Sequence, residues 1–395
     1  MNRVVSAERV HIGFFGLRNA GKSSVVNALT GQELSVVSDV KGTTTDPVQK
    51  AMELLPLGPV VIIDTPGFDD EGALGQLRVQ KTKQILRKTD LAVLVTDATT
   101  PLSTEEEELL ALFSERKLPY LVVCNKTDLA GATVFEGAVG VSARTGAGIE
   151  VLKERLAGLV KQTAPERPLV GDLVQEGDTV VLVTPIDESA PKGRLILPQQ
   201  QTIRDLLDHR ATALVTQTET LPATLAALKA PPRMVITDSQ AFSQVAPLVP
   251  AEVPLTSFSI LFARYKGNFL SAVKSAVVLD SLKDGDRVLI SEGCTHHRQC
   301  GDIGTVKLPA LIRRHTGCEI DFAFTSGGTF PEDLNGIKLV IHCGACMLNE
   351  KEMAFRKQTA AESGVPMTNY GMAIAHMNGI LKRSLRLFPE IGTVL

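Results

Sequence analysis

The stretch Val10-His-Ile-Gly-Phe-Phe-Gly16-Leu-Arg-Asn-Ala-Gly21-Lys22-Ser23 decides the fold of the N-terminal part of this chain. A strand leads into the loop G-x-x-x-x-G-K-S, and the residues that follow Ser23 continue as a helix. Glycines in such a loop let backbone N–H groups approach phosphate oxygens at the start of a helix. The sequence therefore predicts a P-loop nucleotide-binding domain over about residues 8–165.

Two side chains carry the chemistry of this loop. We expect the Lys22 ammonium to contact the β- and γ-phosphates and the Ser23 hydroxyl to bind Mg²⁺. The expected catalytic residues are Lys22, Thr44 and Gly67. The loop residues expected at the nucleotide are Gly16, Asn19, Ala20, Gly21, Lys22, Ser23 and Ser24.

A second buried strand, Val60–Asp64, runs into the motif D-T-P-G. Asp64 can hold the Mg²⁺ shell, and the Gly67 N–H can sense the γ-phosphate. Phe68 follows, at the position where Ras-like proteins carry a glutamine that orients water. Because a phenyl ring can neither orient water nor donate a proton, we expect slow intrinsic hydrolysis.

The segment between these motifs contains G-T-T-T-D at residues 42–46 and resembles switch I of the tRNA-modification and ribosome-assembly GTPases. The resemblance implies Thr44 as the Mg²⁺ ligand, with Thr43 and Thr45 left open. Asn19 lies in the phosphate loop where potassium-activated GTPases place a cation ligand. We expect K⁺ to raise the hydrolysis rate there by supplying positive charge at the phosphates.

The base-recognition motif N-K-T-D follows a third buried strand. Asp128 can accept hydrogen bonds from N1–H and the 2-amino group of guanine, an arrangement that adenine does not offer. Asn125 braces the loop, and the Lys126 stem covers the base. Four motifs in this order, each after a strand, identify a translation-factor-type small GTPase domain that binds GTP or GDP. The fourth motif resembles the S-A-K loop at the guanine O6 and comprises Ser142, Ala143 and Arg144.

The middle part of the chain, about residues 170–262, alternates short strands and helices and predicts a small parallel α/β sheet. Its sequence shows no phosphate loop, metal ligands or nucleophile–base pair, so we expect a spacer or dimerisation module. The short apolar strand Ala213–Val215 could lie at a sheet edge, where it could pair with a second copy.

The C-terminal part, about residues 263–395, is expected to be another open α/β unit. Two of its strands run into cysteines, because Val288–Ser291 precedes C-x-H and Leu339–Ile341 precedes H-C-x-x-C. Parallel strands of one sheet bring their C-terminal ends to the same edge. The side chains that can converge there are Cys294, His296, His342, Cys343 and Cys346.

Thiolate and imidazole at this spacing suit zinc or an iron–sulfur cluster. Three thiolates leave one metal position to histidine, a carboxylate or water. The spacing leaves a Cys₃His zinc site and a redox dithiol open as alternatives. We expect Cys300 either to be able to replace one of the metal ligands or to lie next to the ligands without binding the metal. His315 is expected at the surface, and His376 lies too far along the chain to be assigned.

The pattern C-T-H-H-R-Q-C at residues 294–300, followed by H-C-G-A-C at residues 342–346 behind a GTPase domain, resembles the HydF family of FeFe-hydrogenase maturation GTPases. The resemblance covers the whole chain and its three-domain order. It implies a scaffold or carrier that works with two radical-SAM maturases and delivers a diiron unit to apo-hydrogenase, and it suggests a homodimer.

The same resemblance implies the ligands of a 4Fe-4S cluster in the C-terminal α/β domain. In the family three cysteines bind the cluster, and here they are Cys294, Cys343 and Cys346. His296 and His342 match the family's histidines, whose role as fourth ligand varies.

Composition argues against several other classes of protein. The chain has 395 residues, of which 44% are hydrophobic and 22% charged, as in folded globular proteins. A net charge of -3 gives no excess of positive charge that would indicate binding to nucleic acid or an anionic membrane. No apolar run in the sequence is long enough to span a bilayer. We therefore expect a cytoplasmic protein without nucleic-acid or membrane partners. An RNA- or ribosome-assembly GTPase with a zinc-binding C-terminal domain is the competing interpretation.

Overall fold

The computed structural model describes residues 9–32, 48–65, 85–163, 168–185, 195–293, 303–327, 329–346, 348–388 and 391. The chain divides into two compact units, Met1–Pro165 and Glu166–Leu395. Both are α/β, which confirms the expected fold class, whereas the three-domain division stays a prediction. The expected boundary between residues 262 and 263 falls inside the helix Phe258–Tyr265. No helix in the described ranges has the length and hydropathy needed to cross a membrane.

A six-stranded sheet in the order β2-β3-β1-β4-β5-β6 forms the centre of the first unit. Only the pairing of β2 with β3 is antiparallel. The middle strands are near-continuous apolar runs because helices cover both faces of the sheet. The strands are β1 Val10–Phe15, β2 Val48–Leu54, β3 Gly58–Asp64, β4 Leu91–Asp97, β5 Tyr120–Asn125 and β6 Val139–Gly140, and the helices are Lys22–Thr30, Thr104–Glu115 and Ile149–Thr163.

Two four-stranded parallel sheets, in the orders β10-β9-β7-β8 and β12-β11-β13-β14, form the second unit. One continuous apolar core runs from the first sheet into the second. The strands are β7 Thr179–Val183, β8 Thr212–Thr216, β9 Met234–Thr237, β10 Leu255–Ser257, β11 Arg287–Ser291, β12 Asp321–Thr325, β13 Ile337–His342 and β14 Met367–Asn369. The helices are Leu197–Asp208, Leu221–Ala226, Phe242–Val245, Phe258–Tyr265, Phe269–Ala276, Leu308–Thr316, Glu350–Glu362, Tyr370–Met377 and Leu381–Leu385, with 3₁₀ turns at Gly171–Leu173, Ser239–Ala241 and Val277–Ser281 and a π-helical turn at Ile303–Lys307.

Two apolar stretches of the second unit are interrupted instead of each forming one continuous helix. The stretch 266–282 is α-helical only over Phe269–Ala276 and then tightens into a 3₁₀ turn. The stretch 370–387 breaks into two helices because Gly379 adopts a φ of +68° and ends the first. The strands β10 and β14 are additional elements, and with three residues each they are too short to show a period in the sequence.

The strand expected at a sheet edge lies there. β8 is the last strand of the first four-stranded sheet, and it pairs only with β7 in the described part of the chain. Val215 on this strand is 47% exposed. The sheet therefore presents an open edge at Thr212–Thr216.

Candidate functional site

The phosphate loop joins β1 to the helix Lys22–Thr30, and two of its positions accept only glycine. Gly16 has a φ of +142°, and an added Cβ would lie 2.2 Å from the Val95 carbonyl oxygen. Gly21 has a φ of +90°, and its Cβ would lie 2.3 Å from Asn125 Nδ2. A side chain at Gly16 would clash with the backbone of β4, and one at Gly21 would displace the Asn125 amide.

Lys22 and Ser23 lie at the start of the helix, as the motif predicts. The buried Lys22 Nζ donates hydrogen bonds to the carbonyl oxygens of Gly16 and Leu17, at 3.0 and 2.7 Å. Ser23 Oγ donates to Asp64 Oδ2 at 2.7 Å, so the residues expected to hold Mg²⁺ are adjacent. The other oxygen, Asp64 Oδ1, is buried without a hydrogen-bond partner among the described residues. Because a buried carboxylate oxygen normally has a partner, this donor set fits Mg²⁺.

Asn125 connects the phosphate loop to the base-recognition loops. Its Nδ2 donates to the Ala20 carbonyl oxygen at 3.0 Å, and its Oδ1 accepts from the Ala143 N–H at 3.1 Å. Lys126 has a φ of +67° and donates to Asp97 Oδ2 at 2.6 Å. These contacts hold four loops together at the carboxyl edge of the sheet.

Asp128 is held as a carboxylate by its neighbours. Ser142 Oγ donates to its Oδ1 at 2.7 Å, and the Arg144 guanidinium lies 3.0 Å from its Oδ2. The Ser142 hydrogen bond, aided by the Arg144 charge, lowers the pKa of Asp128. An ionised Asp128 can accept two hydrogen bonds from guanine, which a protonated acid could not.

Several expected site residues lie outside the described residues. They include the two remaining catalytic residues, Thr44 and Gly67, and the neighbouring Thr43, Thr45 and Phe68. In the second unit they are Cys294, His296 and Cys300. The roles of all of these stay predictions.

The two cysteine-bearing segments meet at one edge of the second sheet. β11 and β13 are parallel neighbours, with Ser291 opposite His342. Past the strand ends, the Gly293 N–H donates to Cys343 Sγ at 3.0 Å. The predicted convergence of the two strands is therefore confirmed up to Gly293, the residue before Cys294.

Cys343 and Cys346 flank a tight turn. Ala345 is buried with a φ of +56°, and its N–H also points at Cys343 Sγ, at 3.4 Å. Burial raises the pKa of the Cys343 thiol, and the backbone N–H groups of Ala345 and Gly293 act in the opposite direction. The N–H groups are therefore placed to stabilise a charged sulfur once a metal compensates for the burial.

His342 is fully buried, and both of its ring nitrogens are engaged. Nδ1 donates to the Cys343 carbonyl oxygen at 2.9 Å, and Nε2 accepts from Arg356 Nη1 at 2.9 Å. Burial, followed by the Arg356 charge, lowers the pKa of His342 to about 3. The neutral His342 ring therefore orients the backbone of Cys343. Because both ring nitrogens already take part in hydrogen bonds, this arrangement does not offer His342 as a metal ligand.

Arg356 is a site residue that the sequence did not reveal. It is completely buried and donates to Glu352 Oε1 at 3.0 Å, Ser291 Oγ at 3.2 Å and the Gly327 carbonyl oxygen at 2.6 Å. In the sequence, Glu352 and Arg356 look like an ordinary pair four residues apart on a helix. Only the fold shows that this pair supports β11 and β13 at the cysteine edge.

The phosphate loop, the Ser23–Asp64 contact and the Asp128 loop on a six-stranded sheet define a P-loop GTPase domain. Residues 11–126 match the family described as 50S ribosome-binding GTPase. Residues 169–267 match the hydrogen maturase F dimerization domain, and residues 268–387 match the hydrogen maturase F tetramerization domain. The chain therefore belongs to the hydrogen maturase F family, the GTPases of hydrogenase maturation.

Curated relatives share the GTPase part of the chain. GTPase Der of Wolinella succinogenes is 35% identical over 165 residues, which cover 37% of this chain and 35% of that protein. The tRNA modification GTPase MnmE of Chromobacterium violaceum is 35% identical over 160 residues, which cover 39% of this chain and 35% of that protein. The chain spans about a third of the length of these relatives.

Solved structures also resemble this chain. The G domain of the T. maritima FeoB iron transporter is 24% identical with a TM-score of 0.31, covering 38% of this chain and 99% of that one. Era of Aquifex aeolicus is 19% identical with a TM-score of 0.35, covering 60% of this chain and 97% of that one. Neither likeness carries an argument about function.

Proposed function

We propose that this chain is a cytoplasmic, GTP-hydrolysing scaffold for the diiron unit of FeFe-hydrogenase. In this proposal it binds a 4Fe-4S cluster in its C-terminal part, receives the diiron precursor from radical-SAM maturases and delivers it to apo-hydrogenase. One observation carries the proposal: the Gly293 nitrogen lies 3.0 Å from Cys343 Sγ, so the chain reaches the C-x-x-C turn at the residue before Cys294. Membership of the hydrogen maturase F family supports it.

The donor set fits an iron–sulfur cluster. Cys294, Cys343 and Cys346 would hold it, and hydrogen bonds to the sulfurs tune such clusters. The Gly293 and Ala345 N–H groups directed at Cys343 Sγ supply that kind of stabilisation. When bound, a cluster with three protein thiolates supplies one iron with an exchangeable ligand position.

His342 and His296 take different parts in this proposal. Because both nitrogens of His342 are engaged, it would orient Cys343 through the backbone and leave iron to other donors. His296, two residues after Cys294, stays the candidate for the fourth ligand.

Anaerobic reconstitution of single cysteine variants tests the cluster. We expect about four iron and four sulfide per chain in the parent, with the EPR signal of a reduced cubane, and loss of both in Cys294→Ala and Cys343→Ala. The matched control is Cys318→Ser, because this half-buried thiol contacts the Leu282 carbonyl oxygen, at 3.5 Å, in the same unit. Full loading of Cys343→Ala would contradict the ligand set. Zinc without sulfide would favour the RNA- or ribosome-assembly alternative.

Hydrogenase activation tests delivery separately from cluster binding. A loaded parent chain should activate apo-hydrogenase, and a Cys294→Ala chain treated in the same way should not. If the variant activates apo-hydrogenase as well as the parent does, the cluster is not needed to carry the diiron unit. The Cys318→Ser control should activate apo-hydrogenase like the parent.

In this proposal the nucleotide bound to the GTPase part controls when partner proteins bind and dissociate. Thr44 and Gly67 are expected to close on the γ-phosphate and relax after hydrolysis. A nucleotide can shift partner binding only if the two nucleotide states bind the partner differently. The affinity for a maturase or for apo-hydrogenase should therefore differ between GTP analogue, GDP and no nucleotide. Three equal affinities would eliminate this coupling.

Potassium activation rests on Asn19. This residue has a φ of +62°, so Asn19→Gly keeps the loop conformation while it removes the side chain. We expect faster GTP hydrolysis by the parent in K⁺ than in Na⁺, and a smaller difference in the variant. Equal parent rates in the two salts would refute the assignment.

The open edge at β8 would pair with a second copy. The dimerization family model covers this strand, and Val215 is exposed on it. Light scattering should show more monomer for Val215→Lys, because charge on an edge strand opposes pairing. Leu207→Lys is the control, since Leu207 is 56% exposed on a neighbouring helix. An unchanged dimer in Val215→Lys would place the interface elsewhere.

A further inference from the structure

A cluster of one carboxylate and two imidazoles lies outside both sites described above. His315 Nε2 and His376 Nε2 donate to the same oxygen, Asp280 Oδ1, at 2.8 and 2.9 Å. The two rings meet edge to face with centroids 5.6 Å apart. The three residues are distant in sequence, and only the fold brings them together.

Each member of this cluster lies in the last turn of a helical element. Asp280 is in the 3₁₀ turn Val277–Ser281, His315 is in Leu308–Thr316 and His376 is in Tyr370–Met377. The carbonyl groups at the ends of the two α-helices make this end of each helix partially negative. The ends of the two helices therefore add to the attraction that the negative charge of Asp280 exerts on a cation.

The geometry suits a metal ion. The three ligand atoms lie within 4.8 Å of one another. Metal-bound nitrogen and oxygen ligands lie about 2.0–2.2 Å from zinc, which puts tetrahedral neighbours about 3.4 Å apart. The observed separations of 2.8 and 2.9 Å would have to open by well under about 1 Å, a shift that side-chain rotation can supply. On metal binding each neutral imidazole would carry its proton on Nδ1, so that Nε2 presents its lone pair to the ion.

Access also fits. The Asp280 side chain is 56% exposed, whereas those of His315 and His376 are 25% and 16% exposed. Solvent can therefore deliver an ion to the Asp280 carboxylate, and hydrogen bonds hold the two imidazoles beside it.

We propose that Asp280, His315 and His376 form a second metal site, which binds a divalent transition-metal ion such as Zn²⁺ through two nitrogens and one oxygen. Two imidazoles and a carboxylate are a ligand set of zinc and of non-haem iron, with further positions open to water. The site contains no sulfur, so it differs chemically from the cysteine edge. An ion there would cross-link three helical elements of the second unit.

Cobalt binding by the full-length protein tests the site, because Co²⁺ substitutes for Zn²⁺ and reports its ligands. Metal per chain and the absorption spectrum would be measured after equilibrium dialysis for the parent, Asp280→Asn and His376→Gln. We expect each variant to bind one Co²⁺ fewer at concentrations that saturate the parent, with affinity lowered more than about 100-fold. In the parent spectrum, the Co²⁺ ion that the variants lack should contribute weak visible absorption bands and no sulfur-to-cobalt charge-transfer band.

His209→Gln is the matched control. His209 also contacts a carboxylate, Asp205, at 3.4 Å, but among the described residues no second imidazole completes a ligand set there. Its cobalt stoichiometry should equal that of the parent. Asp280→Asn keeps a hydrogen-bond acceptor at an exposed position, so it should fold even if His376→Gln does not. Circular dichroism would show whether each variant is folded. Equal cobalt binding by the parent and a folded Asp280→Asn would overturn the proposal and leave a hydrogen-bonded cluster only.

Discussion

Arg356 and Glu352 form a buried pair that should carry much of the stability of the cysteine edge. Their side chains are 0% and 4% exposed and 3.0 Å apart, on successive turns of the helix Glu350–Glu362. The guanidinium also bonds to β11 through Ser291 and to β13 through His342, and it lies over the Phe330 ring at 5.2 Å. The substitution that tests this arrangement is Arg356→Met, which keeps most of the apolar volume.

The expected cost follows from what the substitution leaves behind. Without Arg356 the Glu352 carboxylate is a buried charge without its partner, and breaking such a pair costs about 3–5 kcal/mol. Since about 1.36 kcal/mol corresponds to a factor of ten, the equilibrium constant for opening should rise by about 2.2 to 3.7 powers of ten. The double variant Arg356→Met with Glu352→Met removes both charges and should recover most of this loss.

A matched control exists in the same unit. Arg204 and Asp208 are also four residues apart on a helix, with 2.7 Å between nitrogen and oxygen, but their side chains are 77% and 50% exposed. Arg204→Met should cost less than about 0.5 kcal/mol, because solvent screens an exposed pair. Both are arginine–carboxylate pairs four residues apart, and the opposite order of acid and base along the helix is worth only about 0.2–0.5 kcal/mol. The main difference between the two pairs is therefore burial.

Amide hydrogen exchange of the full-length protein measures the effect locally. The peptide that covers β13, Ile337–His342, reports on the strand that Arg356 supports. Protection there should fall by at least about 100-fold in Arg356→Met and by about twofold or less in Arg204→Met. Equal losses in the two variants would refute the argument from burial, as would a double variant no more protected than Arg356→Met.

Three further outcomes follow from other positions. Gly293→Ala should load less iron, because a Cβ there would lie 2.8 Å from Leu348 Cγ. Gly344→Ala should load normally, since the nearest atom of the described residues to its Cβ would be 3.7 Å away, and equal iron content in the two variants would contradict this. Burial raises the pKa of Glu106. The folded state therefore binds the proton of this carboxyl group more tightly than the unfolded state does, and the stability that the protonated group contributes is lost as the pH rises above about 4.5. Denaturant titrations over that range should show that the stability of Glu106→Gln falls less, or rises more, with increasing pH than that of the parent. Parallel profiles would count against the burial effect. Asp128→Ala should weaken GTP binding by more than about 100-fold, because two hydrogen bonds to a charged acceptor are lost, and calorimetry should show little change for ATP.

The local sequence was sufficient for the GTPase part. Its strand–loop–helix stretch, the carboxylate at Asp64 and the base loop at Asp128 are contiguous motifs whose geometry each segment determines by itself. The sequence also indicated that the two cysteine segments would meet, because both follow apolar strands. It did not show where helices end, since a single glycine, Gly379, divides one apolar stretch into two helices.

The chain's own pattern thus predicted the nucleotide ligands and showed which strands lead to cysteines. Tertiary structure alone decided that Arg356 supports the cysteine edge and that Asp280, His315 and His376 converge. The physical reason is that periodicity and motifs record contacts between near neighbours in the chain. The partners of Arg356 include Ser291, 65 residues away, and those of Asp280 include His376, 96 residues away. Such contacts exist only once the sheets and helices have packed around a shared core.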